Sequence, residues 1–135
     1  MLIGVVSDTH NNIKNINKII YLFNEEKVDL VIHTGDISKA TTLKIFSALD
    51  CPLMGVYGNN DRLEEGLKEV CKENNFIFQE PPLSLILGNK KIAVFHEPEL
   101  IDDYIKDHQN IDVILHGHTH RYKEEKIENT IYFNP

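Results

Sequence analysis

The chain has 135 residues and a formal net charge of −7, and 41% of its residues are hydrophobic while 26% are charged. This length and composition indicate one globular domain over residues 1–135 and exclude a disordered chain. The acidic balance argues against a polymeric nucleic acid as partner, because long phosphate backbones bind basic surfaces.

Strands and helices alternate in the first half of the sequence. Leu2 to Ser7 is a continuous apolar run, typical of a parallel strand that is covered on both faces. Apolar residues then recur at helical spacing from Ile13 to Phe23, and Asn11 or Asn12 is placed to cap that helix. The same alternation predicts further strands at 30–33 and 53–57, and further helices at 43–49 and 64–72. Such βαβ units form a parallel sheet.

The second half changes character after Pro81-Pro82, which breaks the chain. The turn residues Gly88-Asn89 and Glu128-Asn129 each lie between apolar runs and predict two hairpins, over 84–95 and 122–133. A helix at 98–108 and a strand at 113–115 are predicted between these hairpins. We therefore predict an α/β fold, α+β in some schemes, with parallel strands first and antiparallel hairpins after.

Polar side chains follow five of the predicted strands at the point where each strand ends. They occur in S-D-T-H-N-N, T-G-D, Y-G-N-N-D, F-H and H-G-H-T-H, and they are Asp8, His10, Asp36, Asn59, Asn60, Asp61, His96, His118 and His120. In open α/β sheets the carboxyl ends of the strands face one crevice, so we expect these side chains to converge. Oxygen and imidazole donors without thiolate suit divalent Mn, Fe, Co, Ni or Zn. The donors suffice for two ions if Asp36 bridges them.

The series D-x-H, G-D, G-N-x-D, H and G-H-x-H, in this order along the chain, resembles the calcineurin-like metallophosphoesterase superfamily. More narrowly, the sequence is similar to the small single-domain phosphodiesterases of bacteria and archaea. The resemblance implies a four-layer αββα sandwich and two divalent metal ions, which are Mn, Ni, Fe, Co or Zn. It implies a first metal held by Asp8, His10, Asp36 and His120, and a second held by Asp36, Asn59, His96 and His118.

The implied reaction is hydrolysis of a small phosphoester, with a diester favoured, by a hydroxide that bridges the two ions. The catalytic positions are Asp36, Asn60 and Asp61. Asp36 is implied to bridge the metals, and Asp61 to hold a ligand or a loop by hydrogen bonding. Asn60 stands where many members of the superfamily have a proton-donating His, and an amide cannot donate a proton at neutral pH. We therefore expect poorly basic leaving groups to be favoured, or another acid to serve.

Two departures from the family pattern bear on activity. Glu97-Pro98 follows His96 where the pattern has Gly, and a carboxylate there either repels an anionic substrate or itself reaches a metal. Relatives continue past the position of Asn134-Pro135 into a further strand, which predicts a shortened C-terminal edge here. Either that edge is uncovered, so that copies pair through Ile131 to Phe133 in a homo-oligomer, or substrate contacts from the missing segment are absent.

Alternative interpretations stay open from the sequence. The fold can serve as a catalytically weak or inactive scaffold that binds a protein partner, as a retromer subunit that resembles this superfamily does, although scaffolds tend to lose the ligand set that is whole here. A nuclease would share the chemistry, but the net charge disfavours polymeric substrates. Taken alone, Gly58-Asn59 is common turn chemistry, and only its companions favour a ligand.

The remaining histidines and the cysteines are assigned no metal. His33 and His116 lie inside predicted strands and are expected to pack or to bond to the backbone, and His108 is expected at a helix end or on the surface. Cys51 and Cys71 form no C-x-x-C pattern and are predicted to be small buried side chains. Because no apolar run reaches the roughly 18 residues of a membrane helix and no signal-peptide pattern follows Met1, we predict a cytoplasmic protein without membrane contact.

Overall fold

Four parallel strands form the first sheet, in the order β1-β2-β3-β4. In a computed structural model that describes residues Met1–Pro135, these strands are Ile3–Val6, Leu30–His33, Leu53–Val56 and Ile77–Gln79. The connecting helices are α1 (Ile13–Glu25), α2 (Ala40–Ile45), which continues as a 3₁₀ turn at Phe46–Ala48, and α3 (Leu67–Asn74). Asn12 caps α1 by accepting a hydrogen bond from the Asn15 amide at 3.1 Å, one of the two caps predicted.

The second sheet has five strands in the order β5-β6-β7-β9-β8. β5 (Leu83–Leu87) and β6 (Lys90–Val94) form one antiparallel hairpin, and β8 (Lys123–Ile127) and β9 (Thr130–Asn134) form another. β7 (Val113–Leu115) lies between the hairpins and pairs in parallel with both β6 and β9. A 3₁₀ turn at Pro98–Leu100 and helix α4 (Ile101–Asp107) connect β6 to β7.

Apolar side chains pack on both faces of each sheet. Ile32 of the first sheet and Val94 of the second belong to one buried cluster between the sheets. On the outer face of the first sheet, Val31 and Ile16 of α1 belong to another buried cluster. On the outer face of the second sheet, Ile101 of α4 joins a separate buried cluster. The layers therefore run helices, sheet, sheet, helix, and each buried Ile or Val contributes about 1.5–3 kcal/mol to folding.

The structure differs from the sequence-based prediction at several elements, and two of them are helices α2, which begins at Ala40 rather than at 43, and α4, which begins at Ile101 rather than at 98. β4 was not predicted, because three residues after the left-handed cap Asn75 are too few to show a period. Helix α3 begins at Leu67 rather than at 64, because Gly66 adopts a φ of 85° that a helix cannot contain. The second sheet is mixed rather than built of hairpins alone, since α4 returns the chain to pair β7 in parallel with β6.

The pairing of β9 corrects the prediction about the C-terminal edge. Residues 131–133 lie between β7 and β8 and are paired on both sides, so they cannot recruit a second copy. The edge strand is β8, which carries Lys-Glu-Glu-Lys over 123–126. Charged side chains on an edge strand oppose pairing between molecules.

The cysteines form no disulfide, and Cys71 is buried as predicted, whereas Cys51 is half-buried and so less buried than predicted. None of the helices has the length and the apolar character needed to cross a lipid bilayer.

Candidate metal centre

The five loops that carry the polar residues meet at the carboxyl ends of the strands. Three loops follow β1, β2 and β3 of the first sheet, and two follow β6 and β7 of the second. The Asp8 amide donates to the Gly35 carbonyl at 3.0 Å, and the Gly117 amide donates to the His96 carbonyl at 3.0 Å. The His118 amide donates to Asp8 Oδ2 at 3.0 Å and so joins a loop of one sheet to a loop of the other. Residues far apart in the sequence therefore share one region between the two sheets.

Asp8, His10 and His120 form the first group of donors, whose ligand atoms all lie within 4.8 Å of one another. His120 Nε2 is 3.3 Å from Asp8 Oδ1, and His10 Nε2 is 3.9 Å from Asp36 Oδ2. The rings of His10 and His120 are 5.5 Å apart, measured between centroids. Two imidazoles and a carboxylate thus face a common point.

Asp36, Asn59, His96 and His118 form the second group. His96 Nε2 lies 2.9 Å from Asn59 Oδ1 and 3.4 Å from Asp36 Oδ1. His118 Nδ1 lies 3.2 Å from Asn59 Oδ1 and 3.3 Å from His96 Nε2. Because His96 Nδ1 donates to the Thr34 carbonyl at 2.9 Å, the neutral ring leaves a lone pair on Nε2, which is the form that binds a metal.

Asp36 connects the two groups. It is 2% exposed, and its Oδ2 faces His10 while its Oδ1 faces His96. Burial raises the pKa of the carboxyl, but hydrogen bonds from His96 and Asn60 lower it by more, so the net pKa lies well below its usual value. Asn60 donates its backbone amide to Oδ1 at 2.9 Å and its side-chain amide to Oδ2 at 2.7 Å. Asn60, considered from the sequence only as a replacement for a proton donor, therefore holds Asp36 in position.

Two observations indicate that these residues fit divalent cations. Asp8 Oδ1 is buried and accepts no hydrogen bond, although an uncompensated buried carboxylate oxygen is costly. Five of the seven predicted ligands have left-handed backbone, with φ between 44° and 70°: Asp8, His10, Asp36, His118 and His120. Such strain costs about 1–3 kcal/mol per residue and clusters at functional sites. A cation bound by these oxygen and nitrogen donors would offset both costs.

Asp61 fixes the loop after β2 to the loop after β3. Its oxygens accept hydrogen bonds from the three successive amides of residues 36–38 at 2.7 to 2.9 Å. They also accept one from the Gly58 amide at 2.8 Å. The side chain is buried and bonds only to backbone groups. Asp61 therefore orients the peptide units around the donors without being one of them.

Replacing Asp61 by asparagine should lower the free energy of unfolding by about 2 kcal/mol, because an amide has one acceptor oxygen and turns an NH₂ group toward backbone donors. Urea unfolding at pH 7 measures the change. Glu65 is an exposed carboxylate of the same loop, and Glu65→Gln should change the free energy by less than about 0.5 kcal/mol. Equal losses in the two variants would contradict the role assigned to Asp61.

Glu97 is paired with Arg62, a cation that it shares with Glu80. Arg62 Nη2 lies 3.1 Å from Glu97 Oε1, and Arg62 Nε lies 3.4 Å from Glu80 Oε2. The pair links the loop that carries Asn59 to the loop that carries His96. Because Arg62 offsets the charge of Glu97, the repulsion of an anionic substrate that the sequence suggested is reduced.

His33 supports the centre through two hydrogen bonds, one of them to a residue far from it in the sequence. It is fully buried in β2, and its Nδ1 accepts a hydrogen bond from the Gly35 amide at 3.0 Å. The ring proton is therefore on Nε2, which donates to Thr9 Oγ1 at 2.9 Å. Burial, more than any other cause, lowers the pKa of His33 to about 3. A neutral His33 thus joins the loop of Asp8 and His10 to the loop of Asp36.

The two other histidines that were not assigned to a metal have partners elsewhere. His116 donates its Nδ1 proton to the Gly117 carbonyl at 3.2 Å and is buried. His108 follows the end of α4 and stacks on Tyr104, with ring centroids 3.9 Å apart. Neither contacts the two donor groups.

The sequence matches known proteins over its whole length. Residues 1–135 match the model of the calcineurin-like phosphoesterase superfamily domain. Phosphodiesterase MJ0936 of Methanocaldococcus jannaschii is 34% identical, in an alignment that covers all of this chain and 82% of that protein. A probable metallophosphoesterase of Methanothermobacter thermautotrophicus is 30% identical over all of this chain and 76% of that protein.

The fold is similar to solved structures. The structure of an archaeal phosphodiesterase gives a TM-score of 0.90 at 34% identity and covers all of this chain and 83% of the other. Vps29 of Entamoeba histolytica, solved with zinc, gives a TM-score of 0.70 at 19% identity and covers all of this chain and 73% of the other. The Vps29 likeness concerns the fold alone. The predicted α/β sandwich is confirmed by these comparisons.

Proposed function

The chain belongs to the calcineurin-like phosphoesterase superfamily and is a phosphoesterase, and we propose that it is a phosphodiesterase that works with two divalent metal ions. The first ion would be held by Asp8, His10, Asp36 and His120, and the second by Asp36, Asn59, His96 and His118. The position of Asp36 is the observation that carries this proposal. A carboxylate whose two oxygens face two separate donor groups is what a pair of ions requires of a bridging ligand.

Bound ions of this kind supply a nucleophile from water near neutral pH and stabilise negative charge on phosphoryl oxygens. The protein's own residues keep the donors in place. Asn60 and Asp61 fix Asp36 through its carboxylate and its backbone amide. The Thr34 carbonyl accepts from Nδ1 of His96 and so holds the ring with its Nε2 toward Asn59 and Asp36. Because these contacts exist before substrate binds, little reorganisation is needed at the moment of reaction.

The leaving group receives little help from the residue at position 60. The side-chain amide of Asn60 is bonded to Asp36 at 2.7 Å and carries no proton that it could transfer at neutral pH. We therefore propose that the enzyme favours small phosphodiesters with weakly basic leaving groups.

The chemistry of the donor set also limits which metal ions can bind. The set contains carboxylates, an amide and imidazoles but no thiolate, which favours Mn, Fe, Co, Ni or Zn, and manganese is the ion to test first.

The net charge of −7 favours small substrates over polymeric nucleic acid. A cytoplasmic location belongs to the same proposal.

A scaffold that binds a protein partner is the second candidate, and the site gives it no support. Glu97, the departure that would weaken catalysis through its charge, is paired with Arg62. The donor groups are complete, whereas a scaffold has no need of five strained ligand backbones.

Metal removal tests the proposed function. Protein dialysed against EDTA should hydrolyse bis-p-nitrophenyl phosphate at least about 100-fold faster after Mn²⁺ is added back, because the ions supply both the nucleophile and charge stabilisation. Release of p-nitrophenolate measures the rate, and an Asp36→Asn variant under the same conditions is the control. Equal rates with and without Mn²⁺, or a wild-type rate no higher than that of the variant, would overturn the proposal.

A further inference from the structure

A cleft of about 680 Å³ lies beside the metal centre. Its walls come from the segment that begins at Pro98 and continues into α4, and from the β8–β9 hairpin with Lys123 and Ile127. His116 and Tyr132 also line the cleft. None of these residues is among the proposed metal ligands, so the cleft is a separate feature that needs its own explanation.

The cleft borders two of the five loops of the centre. Thr119, which lines it, stands between His118 and His120, and Pro98, which also lines it, follows His96 by two residues. Asn134 fixes Thr119 by donating its side-chain amide to Oγ1 at 2.9 Å. A diester whose phosphorus lies at the donor groups therefore has this cleft within reach of one of its two ester arms.

His116 offers a hydrogen-bond acceptor to a ligand in the cleft. It is 3% exposed, and because its Nδ1 proton goes to the Gly117 carbonyl, its Nε2 carries a lone pair. That Nε2 has no protein partner and is not one of the fully enclosed unpaired atoms, which are Asp8 Oδ1 and Thr34 Oγ1. The cleft that His116 lines is where this nitrogen meets solvent. A hydroxyl or N–H group of a ligand can donate to it.

The rest of the lining suits a ring on an anionic molecule. Tyr132 and Ile127 supply apolar contact area. The lining contains two cationic side chains, Arg121 and Lys123, and one acidic side chain, Asp102. Lys123 is paired with Glu125 at 3.0 Å, whereas Arg121 makes no ion pair and is free to face a phosphodiester charge.

We propose that this cleft is a subsite for one ester arm of the substrate, and that it takes a ring-bearing arm with a hydroxyl or N–H group, such as a nucleoside, in preference to a short alkyl arm. This inference rests on the proposed phosphodiesterase function. The cleft would provide specificity among diesters. The donor groups alone cannot provide it, because through the metals they act only on the phosphoryl group, which all diesters share.

Two diesters with the same leaving group test the preference. Thymidine 5′-(p-nitrophenyl phosphate) and methyl p-nitrophenyl phosphate both release p-nitrophenolate, so a difference in rate reports on the other arm. With Mn²⁺ present, the thymidine ester should have a kcat/KM about tenfold higher, mainly through a lower KM. Equal values for the two esters would overturn the subsite.

A variant that blocks the cleft, with a matched control, tests whether the preference for the thymidine ester arises in the cleft. Ile127 lines the cleft and is 44% exposed, while Ile131 on the partner strand is 41% exposed and does not line it. Ile127→Trp should remove the tenfold advantage of the thymidine ester, and its urea unfolding curve shows whether the variant is folded. Ile131→Trp should keep the advantage. A thymidine advantage that survives in Ile127→Trp would overturn the subsite.

Binding without metal gives a second readout. In EDTA, thymidine added to ¹⁵N-labelled protein should shift the amide signals of Thr119, Arg121 and Lys123, and it should not do so in Ile127→Trp. Shifts confined to other regions, or none, would overturn the subsite. If neither diester is hydrolysed with any metal, the proposed function fails. If both are hydrolysed equally, only the subsite fails.

Discussion

Asp36→Asn should lower kcat/KM on bis-p-nitrophenyl phosphate by about a thousandfold or more in the presence of Mn²⁺, which corresponds to about 4 kcal/mol of lost transition-state stabilisation. The two oxygens of Asp36 face one residue of each donor group, at 3.9 Å from His10 and 3.4 Å from His96. An amide keeps the shape and one acceptor oxygen, but it loses the charge that two cations would share. The variant should also bind less metal, which elemental analysis after gel filtration measures.

Asp107→Asn is the matched control, because Asp107 is an exposed carboxylate at the end of α4 and away from the donor groups. It should keep wild-type metal content and kcat/KM. If Asp36→Asn retained both as well, Asp36 would not be a bridging ligand. Unfolding curves of the two variants show whether a loss in Asp36→Asn comes from the site or from the fold.

His33 should make the folded protein less stable as the pH falls below 6.5. Its pKa drops from 6.5 to about 3 on folding, first because of burial, so between these values the unfolded chain binds a proton that the folded chain does not. Stability is therefore fully present above the unfolded pKa and is lost toward the folded pKa, at about 1.4 kcal/mol per pH unit. Burial is the main cause, and the Gly35 amide, which donates to Nδ1, also favours the neutral ring.

The comparison of wild type with His33→Gln isolates this effect. Glutamine can accept from the Gly35 amide and donate to Thr9, but it does not titrate. Between about pH 6.5 and about pH 4.5, urea unfolding of the wild type should lose about 2 kcal/mol more than the variant loses. Parallel curves would show that His33 is protonated in the folded protein, and its assigned hydrogen bonds would then be wrong.

The sequence predicted the candidate donor residues better than it predicted the hydrogen bonds that hold those residues in place. Asp8, His118 and the other candidate ligands were found because each follows an apolar strand, and strand ends in such sheets share one edge. Whether they hold metals stays a prediction. The bonds of Asp61 to residues 36–38 and of His33 to Thr9 join residues more than twenty positions apart. Only the register of the strands brings these partners together, and no local pattern encodes it.

The order of strands in the second sheet could not be predicted from the sequence either. The hairpin over 122–133 was predicted from its turn, but its place in the sheet was not. Insertion of β9 between β7 and β8 depends on the parallel pairing of Val113 with Ile131, which short apolar runs cannot specify alone. In the site, the requirement for glycine at position 117 likewise depends on a distant residue, because a Cβ at Gly117 would lie 2.6 Å from Asp8 Oδ2. The need for glycine arises from a residue on the other sheet.

Titration of the metal-free protein with Mn²⁺, followed by electron paramagnetic resonance, tests the central claim most directly. If Asp36 joins two cation sites, the protein binds two equivalents, and the spectrum is that of two exchange-coupled ions. In Asp36→Asn the coupling is lost. A single bound equivalent, or two ions with independent signals in the wild type, would contradict the two-metal account.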